Sequence, residues 1–173
     1  MPMIWPWWLR CIHWVVAVLT LSIWVMTYVF YETGWWHRTL GYTVIVLVVI
    51  RLLAGITTTC SSARFYMPTL AQVLQHIRQL YWREVLTHTG HNPLGQWAVY
   101  CMWFVLATLA FTGWLAGTDA FWGEDGPIML HGLASHLLLG LVVLHVLAVV
   151  VMSHLTKQRL IRQMLHGKLD CKQ

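Results

Sequence analysis

Charge is what this sequence has least of. Only 10% of its 173 residues are charged and six of those are acidic, against roughly a quarter charged in an ordinary soluble domain. Its long apolar stretches contain no Asp or Glu at all. Cysteine is sparse too: Cys11, Cys60, Cys101 and Cys171 form no CxxC pair, so no disulfide framework is implied. No internal repeat, linker or low-complexity segment divides the chain, which reads as a single domain over residues 1–173.

What is abundant is apolar surface: 58% of residues are hydrophobic, twelve are tryptophan, and the mean hydropathy is +0.62. A soluble domain of this length could not hide all of it. Runs long enough to cross a bilayer, at about 20 residues each, fall at 8–30, 38–56, 95–117 and 131–154. Backbone groups in hydrocarbon have to be satisfied internally, and barrel strands would alternate and be about half as long. The expected fold is therefore an all-α integral membrane bundle of four transmembrane helices. The first span opens IWPWWLRCIHW, with Arg10 and His13 inside it and no small-residue cleavage site after it, so it reads as a retained span rather than a removed signal.

Basic residues set the orientation. With both termini cytoplasmic, Arg10, Arg64, Arg78, Arg83, Lys157, Arg159, Arg162, Lys168 and Lys172 lie inside and only Arg38 outside, as the positive-inside rule favours. Glu32, Asp119, Glu124 and Asp125 fall in the outer loops. The net charge of +5 thus reflects topology and contact with anionic inner-leaflet lipid; nothing points to nucleic acid. Residues 69–87, TLAQVLQHIRQLYWREVLT, place Leu70, Val73, Leu74, Ile77 and Tyr81 at helical spacing opposite Gln72, Gln75, Gln79 and Arg83. This is a cytoplasmic amphipathic helix between spans two and three, on the inner surface or against a partner subunit.

Polar residues inside spans are costly and usually functional, so the histidines carry the chemistry. His131 and His145 are 14 residues apart, nearly four whole turns, and project from one helix face about 21 Å apart along the axis. His136 lies on the far side of that helix, and His154 at its inner end. His13, near the inner side of the first span, matches the depth of His145; His37, opening the second at the outer side, matches that of His131. Two opposed imidazole pairs at two depths suit two low-spin haems, each gripped from both faces in a bundle core. Without a CxxCH motif, side-chain coordination alone would hold them. Gly41, one turn from His37, gives a flat macrocycle room. Arg51, 14 residues after His37, falls at the inner level, where a buried guanidinium could pair with a propionate or else snorkel to the interface.

These residues carry a resemblance. HxxxG followed by R at His37, Gly41 and Arg51, the GHNPLG stretch at 90–95, the His131 and His145 pair, and the ending LTKQRLIRQMLHGK at 155–168 resemble the prokaryotic cytochrome b561 family over nearly the whole chain. That family includes the cytochrome b subunits of membrane-bound nickel-iron hydrogenases and resembles that of formate dehydrogenase. The resemblance implies four spans with two non-covalent b haems, bis-histidine ligation by His13, His37, His131 and His145, and electron exchange with quinone. GHNPLG and the tail are more similar to subunits that serve an external redox partner than to the stand-alone quinol-oxidising branch.

The expected function is electron transfer across the bacterial inner membrane between the quinone pool and a periplasmic redox protein, such as a c-type cytochrome or a hydrogenase. The chain would then be the quinone-reactive subunit of an oxidoreductase. His91 with Asn92, opening the third span, and His154, closing the fourth, are candidate quinone contacts beside the inner haem; Asn92 before Pro93 also reads as a helix start. Trp35, Trp36, Phe121 and Trp122 among outer-loop acids suit docking or interfacial belting equally. From other classes, a histidine-lined metal-ion transporter would want carboxylate or thiolate ligands in the spans, and an assembly subunit without haem would show no visible absorption.

Overall fold

The structure, a computed structural model, describes residues 5–30, 34–58, 60, 63–82 and 92–167. Among these residues everything regular is helical. Helix α1 spans Trp7–Val29, α2 Gly34–Thr57, α3 Leu70–Tyr81, α4 Pro93–Leu115, α5 Asp125–Leu155 and α6 Leu160–His166, with a single 3₁₀ turn at Asp119–Phe121. The run TVIVLVVI in α2 would favour a strand in water, because β-branched side chains lose rotamer freedom on a helix. In hydrocarbon the need to pair every backbone N–H within the segment outweighs that preference.

Four of the helices, α1, α2, α4 and α5, are long and apolar enough to cross a membrane. At most 17% of the residues in any of their most apolar windows are buried within the chain. The remaining apolar faces turn outward, as a lipid-embedded bundle requires. Local signals fix the ends. Asn92 caps α4 by accepting from the Gly95 amide at 2.6 Å, with Pro93 in the first turn. Thr69 and Gln72 form a reciprocal capping box on α3, their two bonds 3.3 and 2.9 Å long. The expected amphipathic helix is present at 70–81; its expected continuation past residue 82 lies outside the described residues.

The fourth span differs from its expected 131–154: α5 starts at Asp125, with Asp125 and Pro127 in its first turn. An acidic side chain near a helix N-terminus and a proline where no amide donor is needed both favour that earlier start. His131 therefore sits well inside the helix rather than at its mouth. The other spans lie within a few residues of expectation.

Helices α1 and α2 pack together, as do α4 and α5, and α2 against α4 joins the two hairpins. Val44 and Val48 of α2, Val105 and Leu106 of α4, and Ala134 and Leu138 of α5 form the buried mid-membrane core. Lipid is as apolar as these side chains, so close packing rather than hydrophobicity holds them. At the end where α1 begins, Trp5, Leu9 and Ala63 form a second cluster against Trp8, Cys60 and Met164. Arg10 donates to the Leu165 carbonyl at 2.5 Å, and Trp14 reaches that of Met164 at 3.4 Å. Tyr100 and Trp97 of α4 donate to the Tyr66 and Pro68 carbonyls at 2.8 and 3.3 Å. The beginning of α1, the 63–68 loop and α6 thus close one end of the bundle.

Gly55 lies inside that closure, where a Cβ would overlap the Phe65 ring and the Arg51 guanidinium. Gly55→Ala is expected to cost about 1–3 kcal/mol through overpacking, read as a lower melting temperature in detergent. Gly126→Ala is its control. A Cβ at Gly126 meets no atom within 4 Å, so its melting temperature should be unchanged or slightly higher. Equal loss in both variants would contradict the tight fit at Gly55.

Candidate functional site

The spans bring four histidines together as two pairs. His13 of α1 faces His145 of α5 with ring centroids 6.4 Å apart and planes tilted by 55°. His37 of α2 faces His131 of α5 at 5.9 Å and 56°. All four side chains are partly buried. The two pairs stand at opposite ends of the core formed by Val44, Val48, Ala134 and Leu138: on α5, Ala134 and Leu138 fall between His131 and His145 in sequence. Among the described residues no three His, Cys, Asp or Glu side chains converge as a metal cage would require. The arrangement is of opposed imidazoles, which suits ligation of a planar metal complex along its axis.

The separations test that use. A metal–imidazole bond of about 2 Å on each side, plus about 1 Å from each nitrogen to its ring centre, puts bis-histidine ring centres about 6 Å apart. Both pairs fit. Two further features suit a macrocycle with acidic substituents. A Cβ at Gly41, one turn from His37, meets no atom within 4 Å, so the α2 surface there is open. Arg51 is partly buried, with its Cζ 5.7, 4.6 and 5.8 Å from the ring centroids of Trp8, Phe65 and Trp103. Its Nη2 donates to the Ala63 carbonyl at 3.1 Å, while its Nη1 is buried with no hydrogen-bond partner. The guanidinium does not extend to the surface; it is held beneath the 63–68 loop with its Nη1 unpartnered.

Side chains that the sequence did not single out complete the pair of His37 and His131. The Thr112 hydroxyl of α4 lies 3.0 Å from His131 Nδ1, and that of Thr27 in α1 lies 3.4 Å from His37 Nδ1. Beside Thr112, a Cβ at Gly113 would come within 3.2 Å of the His131 ring, so glycine allows α4 its approach. The signal was present as depth: Thr112 and Gly113 lie in the last turn of α4, and the short connection from α4 to α5 brings them level with His131 in the second turn of α5. Depth alone cannot say which face of α4 turns to α5.

The remaining candidates are placed less centrally. His136 is not idle on the far side of α5: its Nδ1 lies 2.8 Å from the Gly132 carbonyl and its Nε2 2.8 Å from the Tyr28 hydroxyl, tying α5 to α1. His154 is exposed at the last turn of α5. His91 lies outside the described residues. Trp35, Trp36, Phe121 and Trp122 are all exposed.

Fold and site together define a class: a four-span helical membrane protein with two pairs of opposed histidines at two depths. The sequence profile of the prokaryotic cytochrome b561 family matches residues 4–167, and the chain belongs to that family. Comparison with curated proteins gave no match, and comparison with solved structures gave none. Family and architecture give the chain the role of a b561-type cytochrome.

Proposed function

We propose that the chain is a dihaem b-type cytochrome that carries electrons across the bacterial inner membrane between the quinone pool and a periplasmic redox protein. The observation that carries the reading is the spacing of the two imidazole pairs, 6.4 Å for His13 with His145 and 5.9 Å for His37 with His131. When bound, each haem would supply a one-electron couple, with two histidines of this chain to hold it. The protein's part is to hold and insulate. The four histidines would grip from both faces, Gly41 leaves the outer macrocycle room, and the free Nη1 of Arg51 would receive an inner propionate. The packed apolar core lies between the two levels.

The positive-inside rule supports a cytoplasmic location for the closed end of the bundle, which carries Arg10, Arg64, Arg159 and Arg162. Quinone then meets the inner level. A quinone at the outer level could react with a periplasmic partner directly and would leave the inner pair without a task. His154 and His91 are the hydrogen-bonding and proton-moving candidates there. On the other side, the exposed Trp35 and Trp36 at the start of α2, and Trp122 in the 119–125 segment that also carries Asp119, Glu124 and Asp125, would serve the docking of the periplasmic partner.

The test is reduction by a quinol. Purified chain is expected to show two b haems per polypeptide and to be reduced by quinol through the inner one first. His91→Ala and His154→Ala are expected to slow that step with the haem content intact. Normal rates in both variants, or an inhibitor that perturbs only the outer haem's spectrum, would move the quinone site elsewhere. A colourless chain would overturn the cytochrome reading.

A further inference from the structure

Thr112 and Thr27 bear on which nitrogen of the outer histidines is left for a metal. A hydroxyl has one proton to give, and a main-chain carbonyl can only accept. The Thr112 oxygen lies 2.8 Å from the Thr108 carbonyl and 3.2 Å from that of Leu109, both of which call on that proton. Its third neighbour at 3.0 Å, His131 Nδ1, is therefore the donor, a role that the Leu109 carbonyl facing the same ring also favours, and Nε2 keeps its lone pair. Thr27 repeats the arrangement from another helix: its hydroxyl donates to the Ile23 carbonyl at 2.9 Å and faces His37 Nδ1 at 3.4 Å. Thr112 is 1% exposed, so water does not compete for its oxygen. At the inner level, among the described residues, no hydrogen bond fixes the ring nitrogens of His13 or His145.

We propose that Thr112 and Thr27 are positioning residues that lock His131 and His37 as Nδ1–H tautomers and make the outer pair the stronger electron donors to a bound metal. The inference rests on the cytochrome reading above. A ligating histidine whose second nitrogen donates a hydrogen bond is fixed in orientation and made more basic. A more basic axial ligand favours the oxidised metal, so the hydroxyls hold the outer haem's potential down relative to the same site without them.

The experiment uses the full-length chain in detergent. Thr112→Val keeps the side-chain shape and removes the hydroxyl; Thr112→Ser restores it. The two haems are followed by potentiometric titration of their visible bands and by transfer of haem to excess apomyoglobin. A His131→Ala chain serves as the inner-haem reference. Thr112→Val is expected to raise the outer midpoint and to weaken outer-haem retention by about tenfold or more, with the inner haem unmoved and Thr112→Ser close to wild type. Thr27→Val, whose bond is longer, is expected to shift the outer midpoint less in the same direction; it decides the matter should Thr112→Val not accumulate. An unchanged outer midpoint, or equal shifts at both haems, would overturn the lock and leave the cytochrome reading standing. A wild-type chain without haem would overturn both.

Discussion

Replacing His131 by alanine is expected to leave a chain that carries one haem instead of two. His131 and His37 face each other at 5.9 Å at one level, and His13 and His145 at 6.4 Å at the other. The core of Val44, Val48, Val105, Leu106, Ala134 and Leu138 uses none of these side chains. Losing one imidazole should therefore empty one level without unpacking the bundle. Truncation strands no buried group, because the Thr112 hydroxyl keeps its bond to the Thr108 carbonyl at 2.8 Å. His37→Ala should give the same single-haem protein, and His13→Ala or His145→Ala the complementary one. A pyridine haemochrome assay normalised to protein reads the halving directly, and visible spectra should sort the four variants into two kinds. Two haems retained in His131→Ala, or spectra that pair His37 with His145, would refute the assignment.

Arg51→Met is expected to cost the inner haem about tenfold to a hundredfold in retention with little loss of fold stability. Several effects compete. The guanidinium lies near the faces of Trp8, Phe65 and Trp103, at 4.6 Å in the nearest case, and desolvated contacts of that kind are worth about 2 kcal/mol. It also donates to the Ala63 carbonyl at 3.1 Å. Against these stands the buried Nη1 without a partner, a desolvation penalty of about 1–3 kcal/mol or more for a charged group. Methionine forfeits the first two and is relieved of the third, so the balance for the fold is small. For an anionic propionate no such offset exists. One charge-assisted hydrogen bond is worth about 1.5–3 kcal/mol, which sets the expected loss of retention. Arg51→Lys keeps the charge but not the planar fork and should fall between. If Arg51→Met holds the inner haem as firmly as wild type, the residue serves only to hold down the 63–68 loop.

Depth was legible in the sequence because it follows from counting. Each helical residue advances about 1.5 Å, so the 14-residue interval between His131 and His145 fixed two levels on one face before any contact was known. The matching depths of His13 and His37 followed from the span boundaries. Those boundaries came from hydropathy and from the rule that backbone in hydrocarbon bonds to itself. The start of α5 at Asp125 was written in Asp125 and Pro127, though the apolar run that follows them drew the expected boundary inward to residue 131.

Azimuth was not legible. Which face of α4 meets α5, and so whether Thr112 reaches His131 or points to lipid, depends on the rotation of each helix about its axis. Packing of small and branched side chains sets that rotation, since lipid solvates every apolar face about equally well. The same holds for Tyr28 on His136 and for the aromatic enclosure of Arg51, assembled from α1, α4 and the 63–68 loop. The sequence by itself determined that the chain crosses a membrane four times and carries histidines at two depths, because both are properties of single helices read along their axes. Only the tertiary structure decided which hydroxyls touch those histidines and which donor of Arg51 is left free, because such contacts arise between helices whose relative rotation no single segment encodes.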